Sequence, residues 1–223
     1  MPEGHILHRL ARLHQRRFAA APVAVSSPQG RFADGAELLN GQVFTRASAW
    51  GKHLFHHYAN GSIVHIHLGI YGAFTEHRTP MPDPVGQIRM RLVGADYGTD
   101  LRGPTACEVF DGLQVADVIA RLGPDPLRND ADPALAWKRI TKSRRTIGGL
   151  LMDQSVIAGV GNVYRAELLF RHGIDPHRLG TMLGEAEFQA AWADLVTLMK
   201  VGMRRGQIVV VAPADDHGAP SYA

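Results

Sequence analysis

The sequence begins Met1-Pro2-Glu3-Gly4. Once Met1 is removed, the nitrogen of Pro2 is a free secondary amine. An α-amino group titrates at about 7.7–8.0, so an appreciable unprotonated fraction exists near neutral pH. When such an amine attacks a sugar aldehyde carbon, the iminium that forms is cationic without further protonation and acts as an electron sink beside the sugar. Glu3 lies next to it as a proton carrier. Many chains begin Met-Pro and make no use of it, so the reason for this pair has to come from the remaining residues.

Three further groups bear on it. Lys52 stands in Trp50-Gly51-Lys52-His53 at the beginning of a hairpin strand. It is either a solvated surface lysine or a cation at the rim of a cleft, binding phosphate or assisting proton transfer. The run from Leu150 to Arg165 reads as two helices joined by a glycine-containing turn, Gly159-Val160-Gly161, with Asn162 as the expected N-cap of the second. Backbone N–H groups at such a helix start can receive an anion. A dinucleotide fingerprint fails here, because its third glycine would fall at Tyr164 and the preceding segment is helical in pattern. Finally, His53, His56, His57, His65 and His67 crowd one hairpin, with His65 and His67 on the same face by strand alternation. Without carboxylate or cysteine partners they read as strand-surface histidines rather than as a metal site.

The elements that must hold these groups follow from periodicity. From Gly4 to Phe18, Ile6, Leu10 and Leu13 recur at helical spacing with Arg9, Arg12 and Arg16 on another face. From about Val23 to Val93 short alternating apolar segments predict strands, most clearly Lys52–Tyr58 and Ser62–Leu68 around Asn60-Gly61, then Gln87–Val93 and a strand around Ala95–Leu101. Gly123-Pro124-Asp125-Pro126 and Asp132-Pro133 read as an interdomain connection. Helices are expected over Ala134–Ile140, Ile147–Gln154, Val163–His172 and Glu185–Arg204, the last with a core stripe of Phe188, Trp192, Leu195 and Met199. The expected fold is α+β: an N-terminal β-sandwich with an N-terminal helix (1–122), an all-α domain (123–205), and a tail (206–223).

Of 223 residues, 45% are hydrophobic and 20% charged, with one cysteine, Cys107, which excludes an internal disulfide or a cysteine-pair zinc site within them. Nothing resembles a signal peptide or a membrane span, so a cytoplasmic location is expected. The net charge is only +3, but residues 1–31 hold five arginines against Glu3, and Lys138, Arg139, Lys142, Arg144 and Arg145 fall together without an acid. Two basic patches predict a polyanionic partner.

Taken together, Met1-Pro2-Glu3-Gly4, Gly51-Lys52, Arg121-Leu122-Gly123-Pro124-Asp125 and Leu151-Met152-Asp153-Gln154 through Gly161-Asn162 resemble the endonuclease VIII and formamidopyrimidine-DNA glycosylase family, whose second domain carries a helix-two-turn-helix motif. Pro-Glu-Gly at the start is similar to the endonuclease VIII branch, which typically excises oxidised pyrimidines. The resemblance implies a bifunctional DNA glycosylase and abasic-site lyase of base-excision repair, acting as a monomer on damaged double-stranded and possibly single-stranded DNA and associating with the nucleoid when bound. It implies that Pro2 attacks C1′, Glu3 transfers protons at the opened sugar, and Lys52 contacts phosphate and assists β-elimination. By the same resemblance Asn162 and Arg121 hold phosphates flanking an everted nucleotide, and Gly69-Ile70-Tyr71 stands where the family's void-filling loop stands. On the sequence alone, Ile70 and Tyr71 are equally ordinary strand residues.

Two departures accompany the likeness. Ile6 replaces a family glutamate, and the four-cysteine zinc finger that most members carry is not encoded in these residues, so no cofactor is expected within them and zinc only if such a finger follows. The competing expectation is a DNA-binding remnant that recognises lesions or abasic sites without turnover.

Overall fold

The computed structural model describes residues 2–210. Met1 and the tail beyond Val210, including Val211, lie outside the described residues. The described chain forms two compact units, one made of Pro2 with Leu10–Ala120 and the other of Glu3–Arg9 with residues 121–210. The first helix, α1 (Gly4–Phe18), therefore contributes its first residues to one unit and the rest to the other.

In the first unit the strands are β1 (Ala21–Pro22), β2 (Ala24–Ser26), β3 (Val43–Trp50), β4 (His53–Tyr58), β5 (Ile63–His67), β6 (Ala73–Arg78), β7 (Ile88–Val93), β8 (Tyr97–Arg102) and β9 (Ala106–Phe110). They make two antiparallel sheets, β1-β3-β4-β5-β9 and β2-β7-β8-β6. This is the expected sandwich with its N-terminal helix. The hairpin of β4 and β5 pairs His53 with His67 and His57 with Ile63. Its turn uses Gly61 at a φ of 84°, the left-handed conformation that Asn-Gly turns exploit. Two short helices were not legible: α2 (Ala33–Leu39) and α3 (Gly112–Ala120). On the four-stranded sheet, the buried Asp100 accepts a two-pronged bond from Arg91 at 2.7 and 2.9 Å, which pairs the charge that burial would otherwise penalise.

The buried side of α1 differs from the expected one. Leu7, Ala11, His14 and Phe18 are buried, while Ile6, Leu10 and Leu13 are only partly covered. The reason is His14, whose polar name hides an apolar position: its Nδ1 lies 2.9 Å from Nε2 of His56, and both rings are enclosed with Phe74. Phe44 packs on His56 as well. His56 and His65 are thus core groups, which corrects the expectation of surface histidines.

Burial keeps these rings neutral. His14 is pushed down to about 3, and His56 well below the ordinary 6.5 by burial and then by His14 and His57. Burial also takes His5, His57 and His65 down to about 4. The unfolded chain protonates these imidazoles below pH 6.5 while the native state does not. Their contribution to stability is therefore complete above 6.5 and is lost as pH falls towards the folded values, by up to about 1.4 kcal/mol per pH unit for each buried ring. The urea midpoint should fall between pH 7 and pH 5, above the range in which carboxylates titrate, and a flat profile would contradict this packing.

The second unit is helical: α4 (Pro133–Thr141), α5 (Ile147–Met152), α6 (Asn162–Arg171) and α7 (Glu185–Arg205), with a 3-10 turn at Gly180–Met182. Asp132 caps α4 by accepting from Ala134 N at 2.9 Å, with Pro133 opening the helix. In α7, Phe188, Leu195 and Met199 are buried and Trp192 packs at the core's edge. The expected connection at Gly123–Pro126 is buried. Gly123 N donates to Gln154 O and Ala158 N to Pro124 O, so this stretch is part of the second unit rather than an exposed linker. Ile208 also belongs to the helical core, so the described start of the tail is packed. Among the described residues no helix is long and apolar enough to cross a membrane.

Candidate functional site

The second unit organises its site around Glu3. The N-terminal turn of any helix leaves backbone N–H groups without intrahelical partners. At α6 the cap position is Gly161, which has no side chain to offer, and Asn162 is the first helical residue rather than the cap. The cap comes instead from far away in sequence: Glu3 accepts from Gly161 N at 2.7 Å and from Val163 N at 2.9 Å. Both carboxylate oxygens are held, the side chain has no exposed surface, and its charge sits at the positive end of the helix. A Cβ at position 161 would fall on the Glu3 carboxyl group, which is why glycine stands there. Gly4 N also donates to Gly159 O at 2.9 Å.

The turn before α6 is built by one side chain. Gln154 Oε1 accepts from Gly159 N at 2.9 Å, and its Nε2 donates to Met152 O at 3.0 Å and Val160 O at 2.9 Å. This glutamine fixes the loop from inside, as a strand partner would fix an edge. Asp153 steadies the same loop by accepting from Ser155 N and Oγ, and it also takes a bond from Arg145 at 2.5 Å. Those hydrogen bonds, the one from Ser155 foremost, hold its carboxyl below the ordinary range. Asn162 is left exposed at the tip, and Arg121, the first residue of the 121–210 segment, is exposed as well.

In the first unit Lys52 is half-buried and lies in the turn between β3 and β4, one residue before the strand. His67 pairs across the hairpin with His53, the residue after Lys52, and its pKa is lowered by burial first and by the charge of Lys52 second. Gly69 N donates to His67 Nδ1 at 3.1 Å, which leaves the Nε2–H tautomer for the neutral ring. Beside it, His53 Nδ1 and His65 Nε2 are 2.8 Å apart. Gly69 (φ 65°) opens the turn from β5 to β6, and a side chain there would collide with Thr105. Ile70 and Tyr71 occupy that turn and are 57% and 86% exposed, so they are loop residues and not strand residues.

The anticipated residues therefore divide between the units. Pro2, Lys52, Gly69, Ile70 and Tyr71 belong to the first; Glu3, Arg121 and Asn162 belong to the second. Several neighbouring groups had no local signal: the amides of Gly161 and Val163, which hold Glu3, His67, whose pKa Lys52 helps to lower, and the pair between His8 and Asp125. The Gly-x-Gly spacing around Val160 was the one hint that something must approach the backbone closely. Among the described residues no group of three or more His, Cys, Asp or Glu side chains could hold a metal ion. Cys107 is buried, and burial pushes its thiol up to about 12. The described residues thus do not fit a zinc centre.

Residues 1–104 match the formamidopyrimidine-DNA glycosylase N-terminal domain, and residues 122–213 match the helix-two-turn-helix domain of the same glycosylase. The chain belongs to the formamidopyrimidine-DNA glycosylase and endonuclease VIII family. It is 72% identical to endonuclease 8 1 of Mycobacterium bovis over 226 aligned residues, covering all of this chain and 84% of that protein. It is 29% identical over 215 residues to endonuclease 8 of Salmonella schwarzengrund, covering 93% of this chain and 82% of the relative. In fold it is similar to Lactococcus lactis Fpg solved in complex with abasic-site DNA. The TM-score there is 0.80 at 19% identity, with 92% of this chain and 79% of that one covered.

Proposed function

We propose that this protein is a base-excision-repair DNA glycosylase and abasic-site lyase that removes oxidised pyrimidines from DNA through a covalent intermediate on Pro2. The observation that carries the reading is the fixing of Glu3, the residue next to Pro2, by the same α6 start that presents Asn162. Family membership supports the activity, and relatives named endonuclease 8 support the branch. The DNA complexes of the similar structures, one with an abasic site and one with a benzylated formamidopyrimidine lesion, support damaged DNA as the partner.

In this reading the Pro2 nitrogen attacks C1′ of an everted nucleotide, and the bond to the base breaks with its electron pair leaving on the base, which takes up a proton. Ring opening gives the iminium. Removal of a C2′ proton converts the iminium to an enamine, which then expels the 3′ phosphate: the C3′–O bond breaks with its electron pair on the phosphate, a C2′–C3′ double bond forms, the iminium is restored, and water later hydrolyses it to free Pro2. Glu3 carries protons at the opened sugar. Lys52, with the neutral His67 beside it, meets the backbone phosphate and assists elimination. Asn162 and Arg121 hold flanking phosphates, and the exposed Ile70 and Tyr71 fill the gap left in the stack. No step is assigned to a metal; zinc would enter only with a four-cysteine segment.

The test is strand incision of an end-labelled duplex holding one oxidised pyrimidine, against a matched duplex holding an oxidised guanine. Incision of the first is expected. Binding of abasic-site DNA without incision would favour a recognition protein without turnover. Lys52→Ala should lower strand cleavage roughly ten- to a hundredfold while the protein stays folded; undiminished cleavage would remove Lys52 from the site.

A further inference from the structure

Asp125 is a carboxylate with no exposed surface. One of its oxygens accepts from Leu127 N at 2.9 Å and the other lies 2.7 Å from His8 Nε2, a ring whose side chain is 11% exposed. A buried carboxylate is costly unless it is paired, yet neither residue has a part in the chemistry proposed above. Their place in the fold supplies one. His8 belongs to the Glu3–Arg9 stretch of the second unit, as do Asp125 and the start of α6.

That stretch is held at its beginning by the Gly4 N to Gly159 O bond and by the Glu3 carboxylate. Side-chain packing also holds it, with Leu7 buried and the His5 ring edge-on to Tyr164. His8 lies one turn further, about 6 Å along the axis from Gly4, where Arg9 also donates to Arg204 O at 2.7 Å from an exposed position. Arg9 also donates to Met203 O at 3.3 Å, and of these ties that of His8 is the one that ends on a fully buried side chain, Asp125. We propose that His8 and Asp125 form a positioning pair for Glu3: the second anchor fixes the Glu3–Arg9 stretch within the second unit, so the Glu3 carboxylate stays on the amides of Gly161 and Val163. The kinetic consequence rests on the proposed function; the structural one does not.

Two variants of His8 separate the hydrogen bond from mere bulk. His8→Ala removes the donor, whereas His8→Gln keeps an N–H group at nearly the same reach. Asp125 is left intact, because truncating it endangers the fold. Hydrogen exchange at the Gly161 and Val163 amides should quicken by roughly tenfold in His8→Ala and stay near wild type in His8→Gln. With an abasic-site duplex and borohydride, the single-turnover rate of adduct formation should fall by about tenfold in His8→Ala and recover in His8→Gln. Affinity for a duplex carrying a tetrahydrofuran abasic analogue should change less than about twofold.

Unaltered amide protection in His8→Ala would overturn the proposal, as would a His8→Gln variant no better than alanine, or an affinity loss that accounts for the whole rate loss. The exchange measurement needs no catalysis. If the wild-type protein forms no adduct but its amides respond as described, the proposed function fails and the positioning pair stands.

Discussion

Replacing Glu3 by glutamine is expected to slow base release and strand elimination by roughly two to four orders of magnitude, the range that a positioned proton carrier supplies. The same change should lower stability. Glu3 presents two acceptor oxygens to Gly161 N and Val163 N, and glutamine can match one of them only by turning its NH₂ group towards the other. A buried donor left without an acceptor costs about 1–3 kcal/mol. Urea unfolding read by circular dichroism measures the second effect, and single-turnover incision measures the first. A variant that loses stability but keeps its rate would mean that Glu3 is a helix cap and nothing more.

The second large effect concerns the nitrogen of Pro2. Within a peptide bond it has no available lone pair, because resonance with the carbonyl removes it. Protein that retains Met1, or that carries any added N-terminal residue, should therefore form no covalent adduct with an abasic site, while still binding it. Pro2→Gly is different in kind. It leaves a primary amine, whose imine must be protonated before it can serve as an electron sink, so trapping should weaken by roughly ten- to a hundredfold instead of disappearing. Equal yields from Met1-retaining and Met1-free protein, with the masses verified, would exclude the terminal amine as the nucleophile.

Much of the fold was legible because its signals are local. The hairpin of β4 and β5 follows from alternation around Asn60-Gly61, and the stripe of Phe188, Leu195 and Met199 in α7 follows from helical spacing. What escaped was decided by partners far away. His14 reads as polar until His56, on another element, gives it a hydrogen bond and an aromatic enclosure. The cap of α6 was sought in Asn162, next to the helix, whereas it comes from Glu3, at the other end of the sequence. Gly123–Pro126 has the composition of a linker, but Asp125 has the imidazole of His8 to pair with and Pro124 an amide to accept from. Proline and glycine mark an irregular path, and they do not say whether that path is buried.

The site followed the same division. Pro2, Glu3, Lys52 and Asn162 were recognisable as residue types in a family pattern, but the amides of Gly161 and Val163 have no side chains to recognise. His67 was visible only as one of five histidines. Its bond from Gly69 N and its closeness to Lys52 single it out from His56, which is buried in the core.

The central claim is that a proline amine is the nucleophile. Protein with Met1 shown by mass to be absent is incubated with abasic-site duplex and borohydride, digested, and searched by mass spectrometry for the peptide that carries the reduced sugar. The account predicts one adduct, on the nitrogen of Pro2. An adduct on Lys52, or none on any peptide, would contradict it.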